Sequence, residues 1–196
     1  MFETTVGLCY DVGVSITDSH FAMQTFFGTV HPEGLAILMK DLGTDITLNQ
    51  HHNRDRLELS RLLSYDRKVH NGIKRLECMK RWFSTDTTTT VIAKKTYDVC
   101  GYGCLQKLED GRHHLGPVFA DSVEIAACVI ATLLQSVPPA QRIFMAGPTS
   151  TGVLTKFAYA FGWSTGPYLR RMYTKEIVHV HLQKVFVFTT MGIALI

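Results

Sequence analysis

Residues 115–134 read LGPVFADSVEIAACVIATLL, and this stretch decides the fold class. Its first part continues a predicted strand, His114–Ala120, which Gly116-Pro117 interrupts because proline lacks the N–H that a strand ladder needs. Its second part, Ile125–Leu134, is apolar on nearly every face, which is typical of a helix buried against a sheet. A strand followed by such a helix predicts a sheet that carries helices on its faces.

The helix in this stretch is predicted to run from Asp121 to Ser136. Asp121 is its predicted N-cap, and Glu124 follows three residues later, which is the spacing of a capping box. Pro138-Pro139 ends the helix, because proline cannot continue the helical hydrogen-bond pattern.

Upstream of this stretch, the apolar residues recur first with a helical period and then with a strand period. Residues 53–70 are predicted as an amphipathic helix with Asn53 as its N-cap. Lys74–Phe83 is predicted as a second, short helix. Strands are predicted at Thr89–Lys95 and Val99–Lys107, because β-branched residues and turn signals flank them.

Downstream, the chain alternates once more between the two periods. A strand is predicted at Arg142–Ala146, a helix at Thr151–Phe161, and two last strands at Tyr168–Thr174 and Lys184–Thr190. With a weak strand near residue 46, the order is strand, two helices, three strands, helix, strand, helix and two strands. This order predicts an α+β fold with a largely antiparallel sheet.

The composition bounds the class of protein. The chain has 196 residues, of which 46% are hydrophobic and 19% charged, and such a mixture builds a large core and excludes a disordered chain. The longest apolar runs, Ile125–Leu134 and Val185–Ile196, are shorter than the ~20 residues that a membrane-spanning helix needs. We therefore expect a soluble protein without a membrane partner.

The net charge and the cysteines indicate which partners and which cellular compartment to expect. The net charge of +3 is scattered and forms no basic stripe, so nucleic acid is not an expected partner. The five cysteines are irregularly spaced, which favours free thiols in a reducing compartment. The N-terminal Met1-Phe2-Glu3 carries an acid where a signal peptide carries positive charge, and a cytoplasmic location is predicted.

No metal site is predicted. His179 and His181 would share one face of a strand, but no third ligand follows at a zinc-binding spacing.

The order of elements resembles that of the GNAT acetyltransferase fold, and several stretches resemble its YitH/HolE-type branch. These stretches are Tyr65–His70, Met79–Phe83, Val99–Gly103, Leu115–Ser122, Ala160–Trp163, and Arg171–Thr174 with Lys184–Phe186. The resemblance covers residues 46–196. It implies a GNAT-like domain with a mixed, mostly antiparallel sheet flanked by helices.

The N-terminal residues 1–45 carry a second likeness. Phe27–Met39 looks like the fourth strand and third helix of another GNAT unit, except that the Gly-rich loop between them is missing and Glu33 runs directly into Gly34. Proteins of this branch often carry two such units in tandem, so the segment resembles a truncated unit. An apolar extension packed on the domain is the equal alternative. Apolar surface left by a missing unit would favour a homodimer.

The resemblance implies acetyl-CoA as the cosubstrate and the opening stretch as its site. Backbone N–H groups at the helix start would hold the pyrophosphate, and the strand before it would line the pantetheine path. The cofactor-binding residues implied in this way are Val118, Phe119, Ala120, Asp121, Ser122, Val123, Glu124 and, at the start of the next helix, Thr151.

The sequence departs from the superfamily at this site. The Gly-rich loop that bears Arg or Gln is replaced by Ala120–Ser122, so acids stand where a diphosphate would sit. Arg112, His113, His114 or a distant lysine would have to compensate for them. A simple helix cap is the alternative role of Asp121 and Glu124.

The usual catalytic tyrosine is displaced as well. The superfamily's tyrosine, which can protonate the departing thiolate, falls on Ala158, and Tyr159 comes one position late, about 100° around the helix. Tyr159 and Tyr173 are the candidate catalytic residues. A packed aromatic is the alternative role of Tyr159.

An acceptor pocket is predicted on the first helix. Asp66 and His70 are four residues apart and share one face, and with Trp82 they would line a pocket for an amine. A hydrogen-bonded pair on the helix surface is the alternative.

The resemblance thus implies transfer of acetyl from acetyl-CoA to a small-molecule or peptide amine, by direct attack and without a covalent intermediate. The alternative is a catalytically degenerate GNAT-like binding or interaction module. An open cleft between the fourth and fifth strands of the domain would favour the enzyme, and a filled cleft would favour the module.

Overall fold

The computed structural model describes residues 16–39, 45–51, 56–150, 152–173 and 179–189. The strands are β1 (Ile16–Gly28), β2 (Ile46–Gln50), β3 (Thr88–Lys95), β4 (Asp98–Lys107), β5 (His113–Ala120), β6 (Ile143–Pro148), β7 (Ser164–Tyr173) and β8 (Val185–Val187). The helices are α1 (Pro32–Met39), α2 (Arg56–Val69), α3 (Leu76–Ser84), α4 (Val123–Leu134) and α5 (Val153–Ala160). A 3-10 turn, Leu182–Lys184, comes directly before β8.

The strands form one mixed sheet in the order β2-β3-β4-β5-β6-β1-β7, and β8 pairs with β5 off this path. Along the path every neighbouring pair is antiparallel except β5 and β6. The predicted α+β class with a mostly antiparallel sheet is therefore confirmed.

Strand β1 lies inside this sheet. It pairs with β6 from Met23 to Gly28, and with β7 on its other side. Phe21, Met23 and Phe26 are buried, so the apolar character of this segment is accounted for by core packing. Residues 16–28 thus complete the same sheet as the later strands, while the division of the chain at residue 45 stays a prediction.

The two faces of the sheet carry separate hydrophobic cores. Helices α1, α4 and α5 pack on one face, and almost every residue from Ala126 to Leu134 is buried there. Helices α2 and α3 pack on the other face, against Tyr102 and Phe119. Because strand residues alternate between faces, the neighbours Val118 and Phe119 belong to different cores.

The start of α4 differs from the prediction. Ser122 Oγ accepts a hydrogen bond from the Ile125 N–H at 3.3 Å, so Ser122 is the N-cap. The predicted capping box of Asp121 and Glu124 is wrong, because the Asp121 carboxylate is engaged by side chains from outside the helix.

Other boundaries shift by a few residues. Strand β7 begins at Ser164, four residues before its predicted start, and its Pro167 is tolerated because β7 is an edge strand. Helix α3 begins at Leu76 rather than at Lys74. The predicted N-cap Asn53 lies outside the described residues.

Strand β8 fills the gap where β5 and β6 diverge. The two strands pair in parallel at their first residues only. Beyond that point β8 pairs with β5 at Val118 and Phe119, and the Phe188 N–H donates to the Ala146 carbonyl at 2.7 Å. Residues 185–188 are each at most 1% exposed.

The approach of this segment depends on a glycine in β6. A Cβ placed on Gly147 would lie 2.2 Å from the Phe186 carbonyl oxygen, a distance that no side chain can accept. The chain therefore packs its own backbone into the gap between β5 and β6, where the family resemblance implied a cleft, so the filled alternative is the one observed.

Candidate functional site

A buried polar network joins α2 to the sheet at Asp66. The Tyr102 hydroxyl on β4 donates to Asp66 Oδ1 at 2.5 Å, and Arg75 Nη1 lies 3.6 Å from the same oxygen. Asp66 is 2% exposed and Tyr102 is fully buried. Since a buried carboxylate is costly unless it is paired and hydrogen-bonded, the hydrogen bond from Tyr102 and the ion pair with Arg75 keep Asp66 in place.

His70 takes part in this network as a neutral group. Its Nδ1 lies 2.6 Å from the Asp66 backbone carbonyl, so Nδ1 carries the proton because a carbonyl can only accept. Its Nε2 accepts from Arg75 Nη1. Burial, and then the charge of Arg75, lowers the pKa of His70 to about 4. Both ring nitrogens are therefore in use, and His70 has none left to take a proton from a ligand.

Arg75 connects the network to the end of β8. Its Nη2 donates to Thr189 Oγ1 at 3.1 Å, and its guanidinium lies over the Phe119 ring at 5.7 Å. The His70 ring meets the same Phe119 ring edge to face at 4.9 Å. Phe119 thus separates the polar network from the filled gap between β5 and β6.

A pocket of about 370 Å³ opens between α2 and α3 beside this network. Its lining consists of Ser60, Leu63, Ser64, Asp66, Arg67, Lys74, Arg75 and Leu76. Asp66 and Arg75 are its buried members, and most of the others are exposed. The pocket is therefore open to solvent and closed at its inner side by a carboxylate and a guanidinium.

The structure brings only part of the predicted acceptor site together. Asp66 lines the pocket, and His70 lies behind it. Trp82 is directed to another part of the sheet, where its ring meets the His114 ring edge to face at 6.2 Å.

On the donor side, the predicted pantetheine-lining residues are inaccessible. Val118, Phe119 and Ala120 are each at most 1% exposed, because β8 pairs with this part of β5. At the start of α4, by contrast, Val123 is 41% exposed and Glu124 is exposed.

Asp121 is neutralised by a lysine that lies far along the chain. Lys184 Nζ lies 2.8 Å from Asp121 Oδ1, and the Tyr65 hydroxyl donates to the same oxygen at 3.0 Å. Burial, and then the charge of this carboxylate, raises the pKa of Tyr65. Lys184 supplies the compensating charge that the sequence could name only as a distant lysine.

The two candidate catalytic tyrosines differ strongly in how much of each residue is exposed to solvent. Tyr159 is on the outer face of α5 with 89% of its side chain exposed. Tyr173 ends β7 and is half-buried. Both stay predictions, as does Thr151, which lies outside the described residues.

Sequence analysis missed four residues of this region: Arg75, Tyr102, Lys184 and Thr189. A signal for Tyr102 is present in the flanking Gly101 and Gly103. A Cβ on Gly103 would lie 2.6 Å from Val129 Cγ1, so the glycines admit α4 on one face. The tyrosine between them must then face the opposite side, towards α2.

Neither a metal-binding cluster nor a membrane-spanning helix is present in the part of the chain that the structure describes. It holds no cluster of three or more His, Cys, Asp or Glu side chains suited to a metal ion. None of its helices has the length and apolar character required to cross a membrane.

Comparison with family models decides the family. A model of the acetyltransferase (GNAT) domain matches residues 62–187. The chain belongs to the GNAT acetyltransferase family. The matched range includes both the Asp66 network and strand β8, so both features lie within an acetyltransferase-like GNAT domain. A comparison with curated proteins found no match.

Solved structures share the fold of this GNAT domain at low sequence identity. A protein from Pyrococcus horikoshii described as an acetyltransferase aligns with a TM-score of 0.65 and 12% identity, over 95% of this chain and 56% of its own. A tandem GNAT protein from the clavulanic acid biosynthesis pathway aligns with a TM-score of 0.55 and 9% identity, over 86% and 58%. Such identities show the fold alone, and this chain spans little more than half the length of either protein.

Removing the Tyr102 hydroxyl is expected to destabilise the domain. Tyr102→Phe leaves the buried Asp66 carboxylate without its shortest donor, so the free energy of unfolding should fall by about 1–3 kcal/mol. Tyr97→Phe is the matched control, because Tyr97 is 73% exposed and its change should stay within about 0.5 kcal/mol. Urea unfolding measures both, and equal stabilities of the two variants would contradict the network.

His114 makes stability depend on pH. Burial lowers its pKa to about 4, so between that value and the ordinary 6.5 the unfolded chain binds a proton that the folded chain does not. Stability due to this group is present above pH 6.5 and is lost as the pH falls. From pH 7.5 to 5 the loss is about 2 kcal/mol.

His114→Phe removes this titration. It keeps an aromatic ring stacked on Phe144, as the His114 ring is in the parent, where the two ring centroids are 4.9 Å apart. The stability of the variant relative to the parent should therefore rise by about 2 kcal/mol between pH 7.5 and 5. Urea unfolding at both pH values measures it, and a constant difference would show that His114 is not a buried neutral group.

Proposed function

We propose that this GNAT domain is an N-acetyltransferase that moves acetyl from acetyl-CoA to a small-molecule or peptide amine by direct attack. The observation that carries the proposal is the adjacency of two sites at Phe119. One is the end of β5 with the start of α4, and the other is the Asp66 pocket. We further propose that the domain is of the YitH/HolE type and that it acts in the cytoplasm.

The start of α4 has the character of an anion site. Ser122 caps the Ile125 N–H, while the Val123 and Glu124 N–H groups come before the first intrahelical bond and have no backbone acceptor among the described residues. Together with the helix dipole they would hold the pyrophosphate. Lys184 lies beside them and would be shared between Asp121 and the diphosphate.

The acceptor side would be served by Asp66. Its carboxylate is held on Oδ1 by Tyr102 and Arg75 and lines the open pocket, where it would orient an amine. When bound, acetyl-CoA supplies a thioester with a good leaving group, so no nucleophile of the protein is required. Tyr159 and Tyr173 remain the proposed acids for that leaving group.

The pantetheine path does not fit the ligand while β8 is in place. Full burial of an aliphatic or aromatic side chain contributes about 1.5–3 kcal/mol. Withdrawing Val185, Phe186, Val187 and Phe188 would therefore cost about 6–12 kcal/mol, a range that includes the free energy of about 8 kcal/mol for micromolar binding. Acetyl transfer thus requires β8 to leave the gap and to be packed elsewhere.

The filled gap favours a second candidate function. In that case the domain is a catalytically degenerate GNAT-like module, which keeps β8 in place and binds a ligand or a partner through its remaining surface. The two candidates differ in whether acetyl-CoA binds at the start of α4.

Asp121→Asn distinguishes them. Removing this charge frees Lys184 and takes away the acid that opposes a diphosphate, so acetyl-CoA should bind about five- to tenfold more tightly than to the parent. Calorimetric titration of the full chain measures both affinities.

Glu109→Gln is the charge-matched control, because Glu109 is exposed in the turn at the opposite end of β5. It should leave the affinity for acetyl-CoA unchanged. If neither the parent nor Asp121→Asn gives a heat of binding at about 1 mM acetyl-CoA, the proposal of an acetyltransferase is overturned. The non-catalytic module is then the remaining candidate.

A further inference from the structure

The pocket between α2 and α3 carries an excess of positive charge. Its lining holds one carboxylate, Asp66, and three cations, Arg67, Lys74 and Arg75. Neither Arg67 nor Lys74 has an acidic partner within ion-pair distance in the described part of the chain, and the Arg67 side chain donates there from Nε to the Gly72 carbonyl. A ligand with an anionic group would neutralise cations that the protein leaves unpaired.

The same pocket also presents an acceptor for a cation. The Tyr102, Arg75 and His70 contacts of Asp66 all reach Oδ1, and Oδ2 accepts no hydrogen bond from the described residues. An ammonium group could therefore be received by Oδ2 without displacing a partner. A ligand that carries both charges could then place its ammonium group at Asp66 and its anionic group at Arg67 and Lys74.

The walls between these charges are apolar and hydroxylic. Leu63 and Leu76 line the pocket together with the hydroxyls of Ser60 and Ser64. A volume of about 370 Å³ lies at the lower end of the range for small-molecule sites. This combination suits a ligand of amino-acid size with an apolar side chain.

We propose that this pocket binds a zwitterionic amine of the amino-acid class, with its ammonium at Asp66 and its carboxylate at Lys74 and Arg67. The proposal rests on the proposed function only in identifying this ligand as the acetyl acceptor. Binding itself requires neither acetyl-CoA nor movement of β8.

Three probes separate the two charges: phenylalanine, phenylalaninamide, which lacks the carboxylate, and 3-phenylpropionate, which lacks the amine. Calorimetric titration into the full chain without acetyl-CoA should give the highest affinity for phenylalanine. The exposed ion pair between the ligand carboxylate and Lys74 or Arg67 should make phenylalanine bind about three- to fivefold more tightly than phenylalaninamide.

Lys74→Gln should weaken phenylalanine binding about three- to fivefold and leave phenylalaninamide binding unchanged. Lys80→Gln is the matched control, because Lys80 lies outside the lining and is paired with Glu77 at 3.3 Å. It should change neither affinity.

The proposal is overturned if phenylalaninamide binds as tightly as phenylalanine, if Lys80→Gln acts like Lys74→Gln, or if no probe binds at about 10 mM. These results are independent of the acetyl-CoA titration. If phenylalanine binds but acetyl-CoA does not, the proposed acetyltransferase function is rejected and the proposed amino-acid site is supported. If acetyl-CoA binds but phenylalanine does not, the amino-acid site is rejected and the acetyltransferase function is supported.

Discussion

Strands β5 and β6 stop pairing after their first residues, and the gap beyond is filled by strand β8. Apolar side chains on β8 join the cores on both faces of the sheet, since Phe186 and Val187 belong to one and Val185 and Phe188 to the other. Packing of this segment therefore stabilises the whole sheet and at the same time covers the surface where a GNAT domain would take its donor. The gap between β5 and β6 can hold either β8, which stabilises the sheet, or the acetyl donor.

Polar contacts fix β8 at both ends and connect it to the two proposed binding sites. Lys184, directly before the strand, pairs with Asp121 at the start of α4, and Thr189, after it, accepts from Arg75 in the Asp66 network. A movement of β8 would break both contacts together. It would release a lysine for an anion at one proposed site and remove a partner of Arg75 at the other, so ligands at the two sites would be coupled through this strand.

The order of elements was predictable because helix and strand periods are local properties of the sequence, and Ile125–Leu134 shows this most clearly. Contacts between distant residues were not predictable, since Arg75 and Thr189 are 114 positions apart and only the fold brings them together. The N-cap was wrong because Asp121 has a stronger partner in Lys184 than a backbone N–H offers. Nothing local indicates that residues 185–188 turn back into a gap that the family resemblance implied to be open.

The central claim is that acetyl-CoA and β8 exclude one another. Val118 and Val187 are directly opposed in the β5–β8 pair, so a Val118→Cys, Val187→Cys double variant can hold β8 in the gap through a disulfide. Acetyl-CoA titration of its reduced and oxidised forms is the most direct measurement. The account predicts binding to the reduced form and a loss of binding on oxidation. Equal affinity of the two forms, or no binding by either, would contradict it.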